Sequence, residues 1–187
     1  VLIWSLAGLG LMLISGHTGQ VSLGHAAFMA IGAFTNLALM MRGWHFIPAL
    51  LASAVTSGVL GAIISRPILR MSGIYLAIAT LALSIIIEDV SIIAEQITGG
   101  VAGLFAPPID MFGLKIDRYT SPAAFYYLCL TVLVIVALGY LNLLRSASGR
   151  SFLAVRDSEV SARALGVNVA RAKTLSFALS CAMTGLA

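Results

Sequence analysis

Ser22 and His25 stand three residues apart, close to one helical turn. A hydroxyl within reach of an imidazole is the start of a nucleophilic pair. Nucleophilic catalysis also needs donors aimed at a developing oxyanion, and nothing in the sequence supplies them. A cap and packing role near a helix start fits both residues better. His17, His25 and His45 are too scattered for a metal site. Cys129 and Cys181 each sit inside an apolar run and read as core filler rather than as a disulfide or metal pair. The residues capable of chemistry do not add up to an enzyme, no catalytic or metal site is assigned, and no cofactor is expected.

Two other polar sets read as parts of a solute path. Gln20 and Ser22 lie between glycines in the uncharged stretch 16–24, where backbone and side chains can offer hydrogen bonds to a zwitterion. That stretch is either a simple turn between two spans or a broken helix at membrane depth, as transporters use around substrate. Gly73, Ala77, Thr80, Ser84, Glu88, Ser91 and Glu95 follow intervals of 4, 3, 4, 4, 3 and 4, so they share one helical face. The face is small at one end, then polar, then acidic. It forms either a wall of a solute path or a helix whose outer end, from Glu88 on, leaves the membrane. Gln20, Ser22, Tyr75, Thr80 and Ser84 are the candidate pathway residues.

The elements that must position these residues are transmembrane helices. Of the 187 residues, 60% are hydrophobic and 10% charged, and the mean hydropathy is +1.04. Soluble domains carry about 25% charged residues, and a chain this apolar calls for a lipid bilayer as its solvent. Six apolar segments can be marked, at 1–16, 23–41, 47–69, 72–87, 122–144 and 174–187. Alternating strand patterns are missing. The expected fold is all-α, a polytopic transmembrane bundle of about six spans forming one domain over 1–187. The outer segments read as helices cut at both ends of a longer chain.

If each segment crosses once, one side receives Arg66, Arg70, Arg145, Arg150, Arg156, Arg163, Arg171 and Lys173, and the other Arg42, Lys115 and Arg118. The basic side should be cytoplasmic. The loop 145–173 is then inside and the loop 97–121 outside. The net charge of +4 therefore needs no nucleic acid to explain it.

Ala49, Ser53, Ser57, Gly61 and Ser65 recur every fourth residue. A stripe of small residues lets helix backbones approach closely in lipid, so this face should pack on another helix. In the loop 145–173, Asp157 or Ser158 can cap a short helix with Glu159 in its first turn. Gly166 suits the left-handed position that ends it, and Asn168 can cap the helix that follows.

Four blocks in order resemble the branched-chain amino acid ABC transporter permease family of the LivM type. They run from Gly19 to Phe28 with Gly32-Ala33-Phe34, from Gly73 to Ala82, through Thr98-Gly99-Gly100 with Gly103-Leu104, and from Gly149-Arg150 through Ala154 to Val169. Together they cover nearly the whole chain. The resemblance implies a multi-pass permease of the bacterial inner membrane, translocating branched-chain or related small amino acids. It implies cytoplasmic ABC ATPase subunits, a second homologous permease subunit and a periplasmic solute-binding protein as partners. Asp157, Glu159, Ala162 and Gly166 then belong to the loop that docks on the ATPase. Ala162 and Gly166 keep the general importer spacing, while Glu159 lies one position early and Ser161 stands where that pattern has alanine. No phosphate-binding loop is present, so a separate subunit must hydrolyse ATP. The alternative is a channel or ion-coupled secondary carrier for a small polar solute, against which stands the lack of a charge at the middle of any span.

Overall fold

The computed structural model describes residues 1–68, 73–94, 98–100, 109–111, 114–116 and 121–187. Arg70, Ser72, Glu95, the stretch 101–108 and Arg118, all named above, lie outside the described residues. Eight helices and one hairpin appear among those described. The helices are α1 (Leu2–Thr18), α2 (His25–Met41), α3 (Phe46–Ile68), α4 (Ile74–Ile93), α5 (Pro122–Arg145), α6 (Ala147–Asp157), α7 (Glu159–Ala164) and α8 (Val169–Gly185). The hairpin pairs β1 (Ile109–Met111) with β2 (Leu114–Ile116), Asp110 opposite Lys115. It falls inside the segment read from sequence as a plain loop. Strands of three residues are too short to show an alternation.

α3, α4 and α5 are long and apolar enough to cross a membrane by length and composition, while α1 and α2 are shorter apolar helices of 17 residues. The outward faces of the long helices expose Val55, Ile78, Ile85, Ile135 and Leu138, as expected of surfaces bathed in hydrocarbon. The chain is thus a polytopic helical bundle, as the composition requires.

The bundle is organised around α8. Gly10 of α1 lies against Ser180 and Thr184, and Ile14 joins Phe28, Phe177 and Cys181 in one buried cluster. Gly32 of α2 meets Gly185, and the α3 stripe packs along the opposite flank of α8. All five stripe residues are buried. Ser53 Oγ donates to the Gly185 carbonyl at 3.1 Å, and Ser57 Oγ donates to the Phe28 carbonyl at 3.2 Å. A Cβ placed on Gly61 would come within 2.7 Å of Cys181 Sγ, closer than real side chains approach. The small residues therefore act as the sequence predicts, by allowing backbone contact that lipid cannot drive through a hydrophobic effect.

These contacts fix the directions of the helices. α1 and α3 run antiparallel to α8, α2 and α4 run with it, and α5 runs beside α1. Arg66, Arg145, Arg150, Arg156, Arg163, Arg171 and Lys173 consequently gather at one end, while Arg42 and the backbone of Lys115 lie at the other. α6 and α7 close the basic end. A second buried cluster anchors them, joining Leu13, Tyr140, Phe152, Val155, Ala162 and Val169.

Candidate functional site

The link between α1 and α2 is the most polar place inside the bundle. α1 ends at Gly19, whose φ of +70° is left-handed, and the Gln20 N–H returns to the Ile14 carbonyl at 3.1 Å. Residues 19–24 then reverse the chain into α2. This reversal does not sit at the end of the bundle. The Leu23 N–H donates to Thr80 Oγ1 at 3.0 Å, and Gly24 presses on the Thr80 backbone. Thr80 lies six residues past Ile74, roughly 9 Å along α4 at about 1.5 Å per residue. His25 bonds Ser180, eleven residues past Val169 and so roughly 16 Å along α8. The alternatives left open by the sequence resolve into a chain reversal that is recessed into the bundle. Such non-helical backbone is tolerated at depth only where protein groups satisfy it.

Those groups form three separate hydrogen-bonded sets, one at Gln20 and Ser176, one through Ser22, His25 and Ser180, and one at Thr80. Gln20, Ser22, His25, Thr80, Ser176 and Ser180 are all buried. Gln20 Nε2 donates to Ser176 Oγ at 3.3 Å, and Ser176 Oγ donates to the Lys173 carbonyl at 2.9 Å. Gln20 Oε1 is buried without a partner among the described residues. Ser180 Oγ donates its proton to the Gly10 carbonyl at 2.5 Å, so at 2.5 Å from His25 Nε2 it accepts. His25 therefore carries its proton on Nε2, and its Nδ1 accepts from Ser22 Oγ at 3.0 Å. Ser22 and His25 do meet, but behind the imidazole stands a serine rather than a carboxylate. The pair ties α2 to α8.

Of the pathway residues read from the sequence, Gln20, Ser22 and Thr80 come together here. Ser84 follows one turn after Thr80 and is half-buried. With Ala26, Ala30, Phe34, Glu88 and Ser91 it lines a groove of about 470 Å³ between α2 and α4. Tyr75 does not join them; it is 65% exposed in the first turn of α4. Glu88 is exposed. His25, Ser176 and Ser180 were missed as members of the site. The last two sit on an ordinary i, i+4 spacing of small polar residues, the same pattern as the packing stripe of α3.

In the basic-end loop, Ser158 rather than Asp157 caps α7: its Oγ accepts from the Ser161 N–H at 3.2 Å. Asp157 is exposed at the end of α6. Gly166 has φ +83°, and the bonds from Gly166 N–H to the Arg163 carbonyl (3.0 Å) and from Val167 N–H to the Ala162 carbonyl (2.9 Å) complete a Schellman ending. Asn168 caps α8 by accepting from the Arg171 N–H at 3.0 Å. Ala162 is buried, whereas Val160 and Leu165 are each 80% exposed. Glu159 pairs with Lys173 at 2.5 Å, fastening α7 to the first turns of α8.

The fold and this recessed polar segment define a polytopic helical membrane protein with hydrogen-bonding groups deep in its bundle. Over residues 1–187 the sequence matches the family described as branched-chain amino acid transport system / permease component, and the chain belongs to that family. It is 33% identical over 209 residues to the high-affinity branched-chain amino acid transport system permease protein LivM of Salmonella typhimurium strain LT2, a match covering 100% of this chain and 49% of the relative. To the protein of the same name from Escherichia coli K12 it is 32% identical over 210 residues, again covering 100% and 49%. The chain thus spans about half the length of these curated relatives. No solved structure matches it.

Proposed function

We propose that this chain is the membrane-spanning part of the permease of an ABC importer, passing branched-chain or related small amino acids across the bacterial inner membrane. The observation that carries this reading is the recessed segment 19–24, which buries Gln20 and Ser22 in the bundle and sets Leu23 and Gly24 against Thr80, one turn before Ser84 in the groove between α2 and α4. Weakly polar side chains with few fixed charges suit a solute that must pass rather than stay. The solute-facing groups are Gln20, Ser22, Thr80 and Ser84, with Tyr75 at the inner mouth of α4.

The loop 145–173 lies on the cytoplasmic side by its basic charge. There α7 presents Val160, with Leu165 just past its end, to a groove on a cytoplasmic ATPase subunit, while the Ser158 cap and the Gly166 ending hold it rigid. Asp157, Glu159, Ala162 and Gly166 make up this coupling element. The segment 97–121 faces the periplasm and receives a solute-binding protein, and a second permease subunit completes the path.

The test is uptake by proteoliposomes holding the full-length permease, its ATPase subunits and the binding protein. Leucine should accumulate only with ATP and binding protein. Uptake driven by an ion gradient without ATP would instead identify a secondary carrier.

A further inference from the structure

Two connections run from the basic-end loop toward the recessed segment. One passes through Lys173, which pairs with Glu159 and offers its carbonyl to Ser176. The other is direct. Arg156, in the last turn of α6, donates from Nη1 to the Gly16 carbonyl at 2.6 Å. Gly16 belongs to the last turn of α1, where carbonyls lack helical partners and the helix dipole favours a cation. The stem of the same arginine lies along Gly19: a Cβ built there would stand 3.3 Å from Arg156 Cγ. Gly19 is the left-handed residue at which the chain leaves α1 for Gln20 and Ser22. α6 in turn is seated by Phe152 and Val155, both buried. One side chain therefore touches both the end of α1 and the hinge of the polar segment, 140 residues away in sequence.

We infer that Arg156 is a positioning residue that ties the loop 145–173 to the segment 19–24, so that displacement of α6 and α7 shifts Gln20 and Ser22 relative to Thr80 and Ser180. This rests on the importer reading for its driving force, since the ATPase would supply the displacement. The tie itself is a property of the chain. A guanidinium suits it because its planar fork reaches a carbonyl while its stem packs on a glycine.

The experiment uses the full-length permease in its complex. Arg156→Ala should lower ATP-driven uptake by about tenfold, the scale expected for losing a charge-assisted hydrogen bond. ATP hydrolysis should change little, so solute moved per ATP falls. Arg156→Lys, which keeps the charge and most of the reach, should recover at least half of the uptake. In parallel, Ser22→Cys is introduced into an otherwise cysteine-free permease, and its alkylation by a water-soluble maleimide is timed without ATP. Arg156→Ala should speed that alkylation about tenfold as the segment loosens. An unchanged alkylation rate, or uptake and hydrolysis that fall together with the amount of assembled complex, overturns the proposal. If the unmodified complex shows no ATP-driven uptake, the importer reading fails, and the alkylation comparison still decides whether Arg156 holds the segment.

Discussion

Gly166 has open space around its Cα, so a side chain there would meet no neighbour among the described residues. What it would meet is its own backbone, because φ +83° costs an L-residue about 1–2 kcal/mol. Gly166→Val should therefore distort the end of α7 without disturbing the bundle: uptake falls while abundance and membrane insertion hold, as uptake assays and blotting of membranes would record. Transport at the wild-type rate by Gly166→Val or by Glu159→Lys would overturn the coupling assignment. In the pathway, Ser84→Trp should fill the groove and stop uptake, whereas Ser84→Ala should be mild. If both changes lower only abundance, the face is a packing seam. At this scale the sequence shows what is local. The caps at Ser158 and Asn168 and the glycine ending are patterns of three or four residues. The Glu159–Lys173 pair and the Gln20–Ser176 bond join residues that only the fold brings together, and no spacing rule reaches them.

Among the elements, α3 packs so closely on α8 that Gly61 leaves no room for a side chain. Gly61→Leu must push against Cys181 and should cost about 1–3 kcal/mol through overpacking, seen as a lower melting temperature in detergent. Gly8→Leu is the matched control, since Gly8 has nothing near it and should leave the melting temperature unchanged. Equal losses at both sites would mean that glycine content, not the close approach, governs stability. The stripe was legible because five small residues kept one period across a whole helix. α6 was not, although Gly149, Phe152 and Val155 recur every third residue along its buried side and Ser146 caps it. Its few apolar residues are spread through a polar stretch, and the seat they fill is built by α1 and α5 from elsewhere in the chain.

For the molecule as a whole, the helix directions group seven of the described basic residues at one end against Arg42 and Lys115 at the other, and the orientation follows if the more basic end is cytoplasmic. Lys115→Cys, on the hairpin end, should then react with an impermeant thiol reagent in intact cells; labelling only after lysis would invert the topology. The central place of α8 bears on how the protein is made. Ser176, Ser180 and Thr184 line its buried side and Lys173 sits near its start, so α8 offers the insertion machinery much less apolar surface than α4 or α5 does. Charged and polar residues weigh against release into lipid one helix at a time. α1, α2 and the link between them, which supply partners for Ser176 and Ser180, emerge from the ribosome long before it. The polar side of α8 therefore finds its hydrogen-bond partners on helices made before it, and these must already stand together when α8 takes its place among them.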